Sequence, residues 1–213
     1  MLREYRIIRD AAEVVARAAE GAVTALRDGR LEQEPAFTDR MLGRIEQAMD
    51  GYKHNGVVWS AKTLTDHGRN AQESEYGADF LGVLEVDLPE YSVKKGFLAQ
   101  AKLIEPWQSM KTKDFAAMQE QCEKMLKLSR EAYVFIYSRA GISIVPAAAV
   151  ISSKRINPHD LYSRSIQRFY EEHFACFFGD LRINVPDVSS LRLLAAEYDA
   201  RSAIQLIAKR QRL

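Results

Sequence analysis

Apolar residues at Ile8, Ala11, Val15, Ala18, Val23 and Leu26 recur at helical intervals, so the spacing predicts an amphipathic helix from about Tyr5 to Leu26, stopped by Gly29. Phe37, Met41, Leu42, Ile45 and Met49 repeat the pattern and predict a second helix over Phe37 to Met49, with Gly51 as its stop and Glu46 beside its inner face. After Gly56 the period shortens. Val57 to Leu64, Asp79 to Val86, Gly96 to Leu103, Ala132 to Ser138 and Gly141 to Ala147 are short apolar runs bounded by Gly, Pro, Asp or Ser, and each reads as a strand.

The unbroken apolarity of Tyr133 to Tyr137 predicts a strand covered on both faces. Between the third and fourth strands, Phe115, Met118, Cys122, Met125 and Leu126 lie at helical spacing, so strand, helix and strand form a crossover within one sheet. Beyond Pro146 two stretches read as helices, Asp160 to Phe178 and Ser189 to Arg210. The expected organisation is therefore an α/β protein: an N-terminal helix (1–36), a core of helix, three-strand meander, crossover helix and further strands (37–150), and a C-terminal helical extension (151–213) packed on the core or on a second subunit.

Composition changes this picture little. The chain has 213 residues, 47% hydrophobic and 28% charged, which is ordinary for a globular domain. A formal net charge of +1 supplies no global attraction for nucleic acid, so such a partner would have to be met by a local surface. Cys122 and Cys176 both sit in apolar helical contexts and read as buried thiols in a reducing compartment. No leader-like segment begins the chain and no apolar run approaches the roughly 18 residues of a membrane span, so the expected location is the cytoplasm.

The polar residues inside the strands carry the chemistry. Gln100 and Lys102 alternate with Ala99 and Ala101, so they share one face of their strand about 6.6 Å apart. A lone lysine in a strand usually snorkels to water from an edge. Here, however, the segment Asp87 to Gly96 joins this strand to the preceding one as a hairpin, which lets Asp79 approach Gln100 and Lys102 from the neighbouring strand.

An Asp at a strand start after Gly ("GAD", Gly77 to Asp79), followed on the next strand by Gln, any residue and Lys ("QAK", Gln100 to Lys102), resembles the PD-(D/E)xK, or restriction-endonuclease-like, nucleases. The Gln form is similar to the Mrr-type restriction enzymes. That family's core of helix, three strands, helix and strand matches the order read between Phe37 and Ala147. The resemblance implies metal-dependent hydrolysis of phosphodiester bonds, as in a DNA endonuclease of a restriction or anti-phage defence system. It also implies Mg²⁺ or Mn²⁺ as cofactor, double-stranded DNA as partner, a homodimer or higher homo-oligomer, and a possible defence-system partner.

By the same resemblance Asp79 is the main metal ligand, Gln100 and the Ala101 carbonyl add oxygens, and Lys102 is the electrostatic catalyst. Gln in place of an acid calls for a second carboxylate, with Glu75 preferred to Glu46 and Glu73 third. Gln121 matches a family Gln on the crossover helix, although the family's QxxxY reads here Gln121 to Met125 without the Tyr. Arg69, His67, Lys94 and Lys95 are candidate phosphate contacts, and the polar stretch Thr63 to Glu75 is a loop beside the site. His54 and His67 have no second His or Cys at ligand spacing, which argues against zinc, and no GxGxxG, P-loop, GxSxG or HExxH motif is present. The alternatives are a catalytically silent copy of the nuclease fold that binds nucleic acid or assembles with partners, and an interaction module of unrelated α/β fold. Arg164 and Arg168 interleave with Tyr162, Phe169 and Tyr170, which suits a helix facing DNA or, more commonly, one packed on the sheet or a second subunit.

Overall fold

Asn55 and Gly56 both take positive φ, 49° and 78°, and so close a two-residue turn between β1 (Lys53–His54) and β2 (Val57–Thr65) of the kind an Asn-Gly pair favours. The computed structural model describes residues 2–65, 77–89, 91–154, 156–185 and 190–211. Ahead of the turn stand α1 (Leu2–Arg27) and α2 (Glu34–Met49). After it come β3 (Phe80–Leu88) and β4 (Tyr91–Leu103), α3 (Thr112–Leu128), then β5 (Ala132–Ser138) and β6 (Gly141–Pro146). The chain continues with α4 (Ala147–Ser152), β7 (Arg164–Ser165), α5 (Ile166–Phe174), α6 (Leu191–Glu197) and β8 (Ser202–Arg210).

The strands form one mixed sheet in the order β1-β2-β8-β3-β4-β5-β6-β7. Helices cover both faces. Phe80, Phe97, Phe135 and Tyr137 pack with α1, α2 and α5, whereas Leu81, Leu98, Val134 and Ile136 pack with α3, α4 and α6. Every residue of β5 is buried, as its continuous apolar run predicts.

Two expectations need correction. The strands β2, β3 and β4 are not a simple meander, because β8 lies between the first two, antiparallel to β2 and parallel to β3. The segment 151–213 is not a helical extension either. Its first helix is α5, capped by the Ser165 side chain, but the second breaks after Glu197, where Asp199 turns the chain at φ 48°, and β8 follows. Ala203 of β8 then joins one core and Ile204, Leu206 and Ala208 the other, so burial on both faces overrides the helical character of an Ala- and Leu-rich run.

The expected loop between β3 and β4 is mostly strand, since the hairpin stays paired out to Leu88 and Tyr91. In it the Phe97 ring lies over Gly82, its cross-strand partner, where a side chain would collide with it. Cys122 is buried and burial pushes its thiol up to about 12; Cys176 is half-buried in a turn at φ 64°, and both are free. Among the described residues no helix is long and apolar enough to cross a membrane.

Candidate functional site

Asp79 stands one residue before Phe80, whose partner is Ala99, and therefore faces Gln100 across the β3–β4 ladder. Its backbone is fixed from both sides: the Asp79 N–H donates to the Ala99 carbonyl at 2.8 Å, and the Asp79 carbonyl accepts from the Ser202 N–H of β8 at 3.1 Å. The carboxylate is fixed as well, with Oδ2 accepting from Gln100 Nε2 at 2.6 Å and from the Ala101 N–H at 2.8 Å. Asp79 and Gln100 of the expected constellation thus meet, on one face of the sheet and at one end of it.

The Gln100 amide is the informative group. Its Nε2 lies between Asp79 Oδ2 and the Ala101 carbonyl, 3.3 Å from the latter, so an N–H donor occupies the space on which two oxygens converge. A half-turn of the amide about its soft terminal torsion puts Oε1 in the same place. Asp79, Gln100 and the Ala101 carbonyl then present oxygen only, the donor set a hard cation such as Mg²⁺ prefers.

The carboxylate the structure brings to this end of the sheet is Glu34, in the first turn of α2. Its Oε2 accepts from the Leu103 N–H at 2.5 Å and its Oε1 lies 3.8 Å from Lys102 Nζ. The turn that carries it is pinned by Phe37, stacked on Tyr137 at 4.1 Å, and by the Thr38–Tyr137 hydroxyl pair at 3.1 Å. Glu46, by contrast, binds the backbone N–H and the hydroxyl of Thr63. That strand is β2, two strands from β3 and so roughly 10 Å away across the sheet, which removes Glu46 from the site. Glu75, Glu73, Arg69 and His67 lie outside the described residues.

Arg201 is the other residue the sequence did not point to. It directly precedes β8, whose Ser202 is in register with Phe80, and its guanidinium approaches Asp79 Oδ1 at 3.8 Å. Two acids and two bases therefore share one site. Among the described residues no group of three His, Cys, Asp or Glu side chains is gathered as a metal cage.

Lys94 and Lys95 are not at the site. They lie in β4 seven or more residues before Lys102, roughly 23 Å or more along the strand. Lys94 pairs with Glu85 at 3.4 Å, and Lys95 is buried, donating to the Phe178 carbonyl at 2.6 Å, so Lys95 offers nothing to a phosphate. Gln121 of α3 does reach the site's surroundings: with Glu34, Lys102, Met110, Lys111 and Met118 it lines a cleft of about 480 Å³, within the range of small-ligand sites. Arg164 and Arg168 both bind Glu172, at 2.6 and 2.7 Å, while α5 buries Phe169 and Tyr170, so this helix packs on the body of the protein. His54 faces Asp10 at 3.0 Å.

Comparison with protein-family models, with curated proteins and with solved structures finds no match. The site must speak through its own chemistry.

Burial lifts the Asp79 carboxyl above the usual range, against the opposing pull of the Ala101 N–H, Lys102, Arg201 and Gln100; burial likewise lifts Glu34, opposed by Lys102 and the Leu103 N–H. A carboxyl raised in the folded state adds stability below its unfolded value, and that contribution is lost as the pH rises through the folded value. Towards neutral pH Asp79 therefore weighs against the fold. Asp79→Asn, which can still accept from the Ala101 N–H, is expected to raise stability by about 1 kcal/mol at neutral pH. The difference should shrink towards zero near pH 3, where the unfolded aspartate is itself mostly protonated. Thermal unfolding of both proteins at the two pH values checks it; a neutral-pH loss in the variant would contradict it.

Proposed function

We propose that the protein is a metal-dependent nuclease that hydrolyses phosphodiester bonds, acting as an endonuclease on DNA. One observation carries the reading: Asp79, the Gln100 amide and the Ala101 carbonyl converge within hydrogen-bond distance across a strand pair, and Lys102 follows on the same face of β4 with Glu34 beside it. The order Asp, then Gln-x-Lys on the next strand, is the pattern in which the sequence resembles the PD-(D/E)xK nucleases. The helix α2, the β3–β4 pair and the crossover through α3 to β5 follow the order expected of that core, whereas β8 interrupts its meander between β2 and β3.

In this reading Asp79, Gln100 through Oε1 and the Ala101 carbonyl hold a Mg²⁺ or Mn²⁺ ion, with Glu34 rather than Glu46 as the nearby second carboxylate. The ion when bound neutralises charge on the phosphate and acidifies its water. The chain's own part is positional and electrostatic. Asp79 keeps its hydrogen bond from the Ala101 N–H, 2.8 Å, when the Gln100 amide turns, so its carboxylate stays oriented as it meets a ligand. Lys102 Nζ faces the attacking water and the negative charge that grows on the phosphate oxygens. Glu34, next to Lys102, is the acceptor for the proton the water loses. A P–O ester bond breaks as the new P–O bond forms, and the departing oxygen takes a proton from solvent, leaving a phosphomonoester and an alcohol.

A second reading, a silent copy of the fold that binds nucleic acid, draws on the same charge set: Lys102 and Arg201 already balance Glu34 and Asp79. Incubation with supercoiled plasmid separates the two. The nuclease nicks or linearises it with Mg²⁺ or Mn²⁺, stops in excess chelator, and is inactive as Asp79→Ala. Equal cleavage in chelator or by Asp79→Ala would remove the assignment.

A further inference from the structure

We propose that Arg201 is a substrate-binding residue that grips a phosphate of the nucleic-acid chain from the side of Asp79 opposite Gln100; this rests on the nuclease reading above. The obvious alternative is that Arg201 merely holds Asp79. The geometry speaks against it. Asp79 Oδ2 already takes two donors at 2.6 and 2.8 Å, and its backbone is bonded on both sides, so the carboxylate is oriented without help. Arg201 meanwhile stays at 3.8 Å from Oδ1, too far for a hydrogen bond.

One Arg201 donor lacks an acceptor: its Nε is shielded from solvent and has no hydrogen-bond partner among the described residues, and three-quarters of the side chain is covered, with 25% relative exposure. A guanidinium carries five donors in a rigid fork, and burying even one of them unmet is costly. An incoming phosphate offers oxygens in the planar, two-pronged arrangement that a guanidinium matches and an ammonium does not. The backbone sets where this happens: Arg201, Asp79 and Gln100 stand side by side at the start of β8, the start of β3 and the facing part of β4. A phosphate approaching Asp79 thus meets the Arg201 fork on one flank and Lys102 on the other.

The test removes the partner that the alternative needs. In the Asp79→Asn background no Asp79 charge remains for Arg201 to serve, and without metal no cleavage confuses binding. Binding of a short fluorescent DNA duplex in chelator is measured for Asp79→Asn and for the same protein carrying Arg201→Ala, Arg201→Gln or Arg201→Lys, over a series of salt concentrations. Each protein is first checked for folding by its thermal transition. Loss of Arg201 is expected to weaken binding about 10-fold, to lower the slope of log affinity against log salt by about 1, and to be partly reversed by lysine. Affinity and slope unchanged by Arg201→Gln or Arg201→Ala would overturn the proposal, as would absence of duplex binding by Asp79→Asn itself. Wild-type cleavage with no Arg201 effect leaves the nuclease standing without this contact. Arg201-dependent binding without wild-type cleavage leaves the contact and removes the nuclease.

Discussion

Lys102→Met is expected to lower the rate of DNA cleavage about 10²–10³-fold while leaving the protein folded, because it deletes one preorganised charge from the place where negative charge develops. Methionine keeps the volume and flexibility of the lysine stem, so the packing along β4 should survive. The ammonium makes one loose pair, 3.8 Å from a single Glu34 oxygen, rather than a hydrogen bond. Glu34 keeps its hydrogen bond from the Leu103 N–H in the variant, but loses the cation that most opposes the effect of burial on its carboxyl. Its affinity for a proton should rise further. The pH at which residual cleavage sets in is then expected to move upwards, a shift that a purely structural lysine would not produce. Plasmid cleavage rates across pH, together with thermal unfolding, measure both effects. A rate within a factor of two of the unmodified protein, with folding intact, would take Lys102 out of the chemistry.

Much of this site was legible because its central residues are close in sequence and sit in a regular pattern. Asp79 at a strand start and Gln100 and Lys102 two apart need only a hairpin and the alternation of strand side chains to come together, and the β3–β4 register does that. Glu34 was missed by three residues. The helix was begun at Phe37, yet the pair Glu34 and Pro35 is a helix-start signal, an acidic residue and a proline in the first turn, and the helix begins there. Arg201 was harder to see. Its strand is paired with residues more than 100 positions away, and Leu191 to Ala196 is good helix-forming sequence, so only the alternate burial of Ala203 and Ile204 betrays β8. Lys95 failed in the opposite direction: two adjacent lysines near a turn look like surface, and nothing local says that one of them points into the α5 side of the sheet to meet Phe178.

Gly77→Ala is expected to destabilise the protein by about 3 kcal/mol, roughly 10 °C in Tm for a chain of this length, and to impair the site at the same time. Two costs combine at this residue. Gly77 has φ 78°, the left-handed region that a Cβ disfavours by about 1–2 kcal/mol. A Cβ there would also lie 2.6 Å from the Gln121 carbonyl oxygen and 3.0 Å from the Gln121 Cα, which are helix backbone and cannot swing aside. Nor can α3 retreat easily, since Phe115, Met118, Cys122 and Met125 are buried in the core beneath it. The strain must then be taken up by the Gly77–Ala78–Asp79 turn, which moves the Asp79 carboxylate off the Gln100 amide and the Ala101 N–H. Gly43→Ala is the matching control: it lies inside α2 with nothing within 4 Å of the added Cβ, and replacing a mid-helix glycine there should add about 0.5–1 kcal/mol. Thermal unfolding of the two variants should therefore move in opposite directions from the parent protein. Because the contact is between the turn and α3, cleavage by Gly77→Ala should fall even well below its lowered transition, where the chain is still folded. A Gly77→Ala protein with unaltered transition and unaltered rate would mean that the turn stands clear of α3 and that the glycine ahead of Asp79 has no part in setting the site.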